Sequence, residues 1–388
     1  MAKAKFDRSK PAILVAASFL IASPAFCGSS RLDFDGVAPA KIIISDVISE
    51  QAGFRAPLLS QAAEVGLRSR FFRVTESGEE VEVFPYTESD GKDYYEFKPN
   101  DYFYHAVSCG AQSGTWDLCA DYKFYPGYGG HNHTEGVPPY TLNGTPIAPH
   151  RCWQGIPVPN TVRLQYRATE FATRAEHKIQ GWGACAGELY NTIDFKIDGL
   201  ALLPPAWQDG LHGGVTYYTL IGTTAHHPIN HFGKFSTITS LQQIAWNYYL
   251  EFSTYSAFSR LEVNDMSLRW GGLFDIGGDW RPPHSEHRYG RQADLRRIIW
   301  DSSGQMVFMP ENQEKKLIKE ACKFGVQVLR ESKDGRLTDP LLTQDWGSAS
   351  TAPHFHLRFP LTGDDVENPP DVTPNLANCQ KLLNEDGR

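Results

Sequence analysis

Between residues 41 and 205, short strand-like runs recur, and clusters of Gly, Pro or Asn close each one. Phe71 to Val74, Glu80 to Phe84, Thr161 to Tyr166 and Thr192 to Ile197 are examples. Short runs with frequent turn residues restrict this stretch to a β-sandwich or a barrel. Aromatic residues make up 12% of the chain, much of it Tyr and Phe within such runs, which favours the same reading. A Gly-rich loop from Tyr125 to Pro139 holds His131 and His133, read here as solvated.

Leu203-Pro204-Pro205 marks a boundary, and the texture changes beyond it. Ile238, Leu241, Ile244, Ala245 and Tyr248 have the spacing of an amphipathic helix over Ser236 to Phe252, with Ser236 or Thr237 as its cap. A short strand follows at Arg260 to Val263. A second helix is expected from Asn312 to about Phe324, burying Leu317, Ile318, Ala321 and Phe324, and a last strand within Pro353 to Pro360. A chain of 388 residues suits two domains. The expectation is α+β: a β-rich accessory domain over 26–205, then residues 206–388 as a small antiparallel sheet with flanking helices.

Residues 1–25 read as a signal peptide. Lys3, Lys5, Arg8 and Lys10 form a basic start, Ile13 to Ala22 an apolar stretch, and Ser23-Pro24-Ala25 the small residues of a cleavage site. Export to the periplasm or beyond follows, with no membrane span after processing. Apart from Cys27, six cysteines remain, an even number that suits disulfides in an oxidising compartment. Nearness in sequence pairs them as Cys109–Cys119, Cys152–Cys185 and Cys322–Cys379. No CxxC pair exists, which argues against a cysteine metal site. The net charge of -8, without a long basic run, argues against nucleic acid as a partner.

Two segments carry chemistry: Pro282 to Leu295 (PPHSEHRYGRQADL) and Ala352 to Phe359 (APHFHLRF). In a strand, alternate side chains share a face, so His354, His356 and Arg358 point one way and Phe355, Leu357 and Phe359 the other. Two imidazoles roughly 6.6 Å apart on one face suit a metal ligand and a neighbour reaching a water at the metal. His287 and Asp294 are seven apart, an odd spacing that Gly290 can correct by a turn. His287, Asp294 and His356 form a three-ligand set of the kind that leaves zinc a fourth position for water. On residue chemistry alone, a polar turn and an unrelated strand with exposed histidines is the competing reading.

His-x-x-Gly with Asp seven residues after the His, followed by a later His-x-His, resembles the pattern of the LAS zinc peptidases, which include lysostaphin-like, D-alanyl-D-alanine and hedgehog-type members. The nearest resemblance is to penicillin-insensitive murein endopeptidases. Asp265-Met266-Ser267 ahead of Gly271-Gly272, His284 three residues before His287, and His354-Phe355-His356 followed by Leu357-Arg358 support it. The helix from Ser236 also sits where that family has one. The resemblance covers about residues 210 to 360. It implies Zn2+ bound by His287, Asp294 and His356, with His354 as base. Gln292 departs from the Ala or Asp that many members carry there, which bears on the substrate pocket.

The expected function is therefore an exported zinc metallopeptidase, with peptidoglycan cross-links as its substrate. A zinc peptidase acting on proteins, or a non-catalytic surface-binding protein that keeps the site, are the alternatives. His284 is a secondary candidate, as a substrate contact or a turn residue. Asp275 and Asp279 sit in the turn GGLFDIGGDW and are read as turn residues. His226, His227 and His231 could supply a second metal site, but their wide spacing and Pro228 favour ordinary loop histidines. No GxSxG elbow exists, so a serine nucleophile has no support.

Overall fold

Strict two-residue alternation builds the first half. In Thr115–Tyr125 the residues Trp116, Leu118, Ala120 and Tyr122 are buried, and in Thr173–Gly183 so are Ala175, His177 and Ile179. Their neighbours point the other way, so each strand offers one apolar face. The computed structural model describes residues 66–331, apart from 134, 256, 282–286 and 301, together with 354–360, 379 and 383–384. The expected signal peptide and His284 lie outside the described residues.

Two six-stranded sheets face each other across one core. The first runs Glu80–Val83, Leu67–Val74, Tyr102–Cys109, Thr161–Arg167, Thr141–Leu142, Thr145–Pro146. The second runs Tyr86–Thr87, Asp93–Phe97, Gly187–Phe195, Thr173–Gly183, Thr115–Tyr125, His150–Pro157. Phe71, Phe103, Val107 and Leu164 from the first meet Phe97, Trp116, Ile179 and Phe195 from the second. Each such burial stabilises by about 1.5–3 kcal/mol relative to exposure. Of the two architectures expected, the sandwich is the one formed.

Three disulfides are present: Cys109–Cys185, Cys119–Cys152 and Cys322–Cys379. The first two correct the pairing read from sequence nearness. Cys109 and Cys119 lie on strands of opposite sheets, whereas Cys119 and Cys152 are direct cross-strand partners. Cys185, in the turn between Thr173–Gly183 and Gly187–Phe195, reaches across to Cys109 and staples one sheet to the other.

Beyond Leu203 a second core forms. Its centre is a five-stranded sheet in the order Tyr218–Leu220, Leu261–Val263, Gln292–Arg296, His354–Arg358, Gln327–Glu331. All pairs are antiparallel except Tyr218–Leu220 with Leu261–Val263. The sheet is therefore mixed, not wholly antiparallel as expected. The chain leaves Leu220, runs through helix α1 (Phe235–Phe252) and returns, the long crossover that a parallel pair requires. Helix α1 buries Ile238, Leu241, Ile244, Ala245 and Tyr248, the positions read from the sequence. It starts at Phe235, with no side-chain cap from Lys234 before it. Helix α2 (Glu311–Lys323) has acidic residues in its first turn and Lys323 in its last, which complements the helix dipole. It is anchored by the buried Arg297–Glu314 pair, Nε to Oε1 2.6 Å.

Both helices cover one face of this sheet, where Ala293, Leu295, Val328, Phe355 and Leu357 join the core. The opposite face of the two central strands carries Gln292, Asp294, His354, His356 and Arg358. The two cores divide near the Pro-Pro boundary but lie in one unit, Gln61–Arg388, tied by the bridge Phe171–Gly272 and the bond from Ile197 N–H to Trp270 O. No described helix is long and apolar enough to cross a membrane.

Candidate metal centre

The register of two strands builds the first site. Asp294 stands directly opposite His356, and Arg296 opposite His354. Asp294 Oδ1 lies 2.7 Å from His356 Nδ1. His287 precedes the strand, and a turn through Gly290, whose φ is +69°, folds it back. A Cβ on Gly290 would come within 3.0 Å of Gly233 Cα, so glycine is required both for conformation and for closeness. The bond from Lys234 N–H to Gly290 O (2.8 Å) fixes the turn. His287 itself has φ +66°, uncommon for a residue with a side chain, and its N–H donates to Gln292 Oε1. Gln292, the departure noted in the sequence, thus holds the segment that delivers His287.

His287 Nε2 reaches 3.3 Å from Asp294 Oδ1, and the rings of His287 and His356 stand 5.0 Å apart, nearly perpendicular. His287, Asp294 and His356 are all buried, and their donor atoms lie within 4.8 Å of one another. His354 Nε2 lies 3.3 Å from the other carboxylate oxygen, Oδ2, and its side chain keeps 12% of its exposure. Burial works to raise the Asp294 pKa, but the imidazoles of His287 and His356 outweigh it and hold the carboxyl well below the usual range. A neighbouring acid behaves oppositely. Asp265 is pushed up to about 6 by burial and by the charge of Asp294, though it accepts a hydrogen bond from Asn230 Nδ2 at 2.5 Å.

A second group was missed by the sequence reading. His131, His133, His227 and Asp275 are all buried, with donor atoms within 4.8 Å of one another. This corrects the reading of His131 and His133 as solvated and of His227 as an ordinary loop histidine. Asp275 does sit in a turn, but its carboxylate points inward. There burial pushes its pKa up, and His131 and His227 pull it further down, below the usual range. Burial also lowers the His131 pKa, with Asp275 opposing. His231 is buried as well, with Nε2 3.1 Å from Val263 O, a satisfied core histidine. His226 stays half-buried outside the group. Cys119, His150 and Cys152 also come together, but both sulfurs are bound in a disulfide.

A cavity of about 670 Å³ opens beside the second group, lined by His131, Asn132, Arg174, Lys196, Arg269 and Trp270 among others. No residue of the first group lines it. No family model, no curated protein and no solved structure matches this chain.

Proposed function

We propose that the chain is a zinc metallopeptidase acting on the peptide cross-links of peptidoglycan. The observation that carries this reading is the convergence of His287 Nε2, Asp294 Oδ1 and His356 Nδ1, with His354 beside them and outside the set. Two imidazoles and one carboxylate suit zinc, and three protein ligands leave one position for water or substrate. Zinc held there by His287, Asp294 and His356 would supply Lewis-acid polarisation of the scissile carbonyl and activation of water. His354, on the same strand face as His356, takes the proton that the attacking water loses and returns it to the leaving amine. Asp294 contributes one oxygen as ligand while its other oxygen faces His354 and orients that imidazole.

The choice of peptidoglycan rests on the resemblance of the His287, Asp294 and His354-Phe355-His356 segments to the murein endopeptidases. The disulfides agree with an oxidising compartment outside the cytoplasm, where that polymer lies. Digestion of purified murein, followed by mass detection of the released muropeptides, tests the reading. Loss of cross-linked dimers supports it. Cleavage of proteins with murein intact would move the substrate class. No cleavage of either by the zinc-loaded chain would overturn the catalytic assignment.

A further inference from the structure

Three separated segments meet at one buried point. Gly129-Gly130-His131-Asn132-His133 comes from the sandwich, His226-His227 from the loop after Leu220, and Asp275 from the turn before Trp280. Hydrogen bonds tie the first two segments together and close the turn of the third. Asn132 N–H donates to His226 O at 2.7 Å, Asn132 Nδ2 to Ala225 O at 3.2 Å, and Gly278 N–H to Asp275 O at 2.9 Å. Gly129, with φ +76°, lies so close to the segment just before Thr173–Gly183 that a Cβ would come 2.6 Å from Ala172 O. The loop is therefore pressed onto the protein, and its histidines turn inward.

The donor atoms form a tight figure. His131 Nδ1 lies 3.3 Å from His133 Nε2, 3.2 Å from His227 Nε2 and 3.1 Å from Asp275 Oδ1. His227 Nε2 is 3.1 Å from Asp275 Oδ1, and His133 Nε2 is 3.4 Å from Asp275 Oδ2. Protons on His131 Nδ1, His133 Nε2 and His227 Nε2 can all be donated to the Asp275 carboxylate, but His131 N–H then faces the N–H groups of His133 and His227 across only 3.3 and 3.2 Å. A cation at the centre satisfies all four groups together. Four of the six edges among His131 Nδ1, His133 Nε2, His227 Nε2 and Asp275 Oδ1 are 3.1 to 3.3 Å, the edge length of a tetrahedron whose centre lies about 1.9–2.0 Å from each corner, close to zinc–nitrogen and zinc–carboxylate bonds of about 2.0–2.2 Å. Calcium needs about 2.3–2.6 Å and oxygen donors, and magnesium an octahedron of oxygens, so neither fits three imidazoles.

The surroundings complete a closed site. His133 Nδ1 lies 3.2 Å from Glu135 Oε2, the carboxylate partner that orients a ligating imidazole. Asp275 Oδ2 accepts the Trp280 N–H at 2.7 Å. The Trp280 ring covers the group at 4.6 Å from His131 and 4.3 Å from His133, and Phe274 lies 4.9 Å from His227.

We propose that His131, His133, His227 and Asp275 form a second, structural zinc site, with four protein ligands and no position for water. The site clasps the β-sandwich to the loops of the following half. It does not depend on the catalytic reading of His287, Asp294 and His356, and the two are separable by mutation.

The test uses the full mature chain carrying His356→Ala, which disables the first site. Chelator-stripped protein is titrated with Zn2+ alone, with metal content measured after gel filtration and melting followed at each step. One retained zinc equivalent and a melting temperature that rises with Zn2+ are expected. Adding His227→Ala should abolish both the retained metal and the rise. Should that double variant not fold, Co2+ in the His356→Ala protein decides. An intense visible absorption of tetrahedral cobalt supports the site, and a weak octahedral spectrum overturns it. No metal retained by His356→Ala, or a full equivalent surviving in a folded His227→Ala double variant, would also overturn it.

Discussion

Acid should weaken the sandwich through a pair of histidines that its core holds neutral. His105 and His177, almost without exposure, lie between the sheets with their Nδ1 atoms 3.3 Å apart. Ser69 Oγ lies 2.5 Å from His105 Nε2, and the Tyr140 hydroxyl 3.0 Å from His177 Nε2. Burial, with the nearby charge of Arg151, pushes the His177 pKa down to about 3. Burial and its partner put His105 well below its ordinary value. The unfolded chain takes up a proton on each near pH 6.5, which the native state refuses. The contribution of His177 to stability is therefore full above about pH 6.5, falls as pH drops through the window down to about 3, and is level below it. At pH 5 the environment has moved about one and a half pH units into that window, and at about 1.4 kcal/mol per unit His177 alone removes about 2 kcal/mol. His177→Gln keeps a polar group beside Tyr140 but cannot titrate. Urea unfolding followed by tryptophan fluorescence, for both proteins at pH 7 and pH 5, gives a double difference in which lost contacts cancel. The wild type should lose about 2 kcal/mol more than the variant on acidification. Stability curves that run parallel with pH would refute the argument and show that His177 takes its proton in the native core.

His356→Ala should lose first-site zinc and cleavage together, whereas His354→Ala should keep its zinc and its melting temperature and lose about 10²–10⁴-fold in cleavage rate. Metal analysis and turnover on the same preparation read both. Glu314→Leu removes the carboxylate facing the buried Arg297 guanidinium and should cost about 3–5 kcal/mol in denaturant unfolding, while Arg297→Met with Glu314→Leu should recover most of it. Replacing Cys109 and Cys185 with Ala opens a loop spanning 76 residues in sequence and should cost about 2–5 kcal/mol by the same measurement, with the two other disulfides intact.

The elements that local pattern controls were legible in the sequence. The spacing of Ile238, Leu241, Ile244 and Tyr248 fixed α1 to within a residue at its start, and Leu317, Ile318 and Ala321 did the same for α2. The alternation around His354 and His356 set the strand and its faces, and Gly290 marked the turn that brings His287 round. What failed was whatever depends on distant pairing. Cys109 joins Cys185 because the sandwich stacks their sheets, which sequence distance cannot express. His131 and His227 lie 96 residues apart, and only the docking of the loop onto Ala172 and Arg269 brings them together. Gly129-Gly130 before two alternating histidines was the available signal, since paired glycines there permit close backbone approach, whereas His131 and His133 were read as solvated. The parallel strand pair was missed for a related reason, since α1 had been placed but not its role as a crossover.

The cross-strand partnership of Asp294 and His356 would also make a cation bound there a judge of assembly. Side chains alternate across a strand, so a slip by one residue would set Phe355 or Leu357 opposite Asp294 and turn both histidines toward the helices. Such a chain could still collapse and bury apolar surface, but it would lack the three-ligand set of His287, Asp294 and His356. Binding adds free energy only to the aligned state, so the more cation is supplied, the more strongly the misaligned alternatives are depopulated. With such a cation bound, the chain would carry its own proofreading, with metal supply setting its stringency.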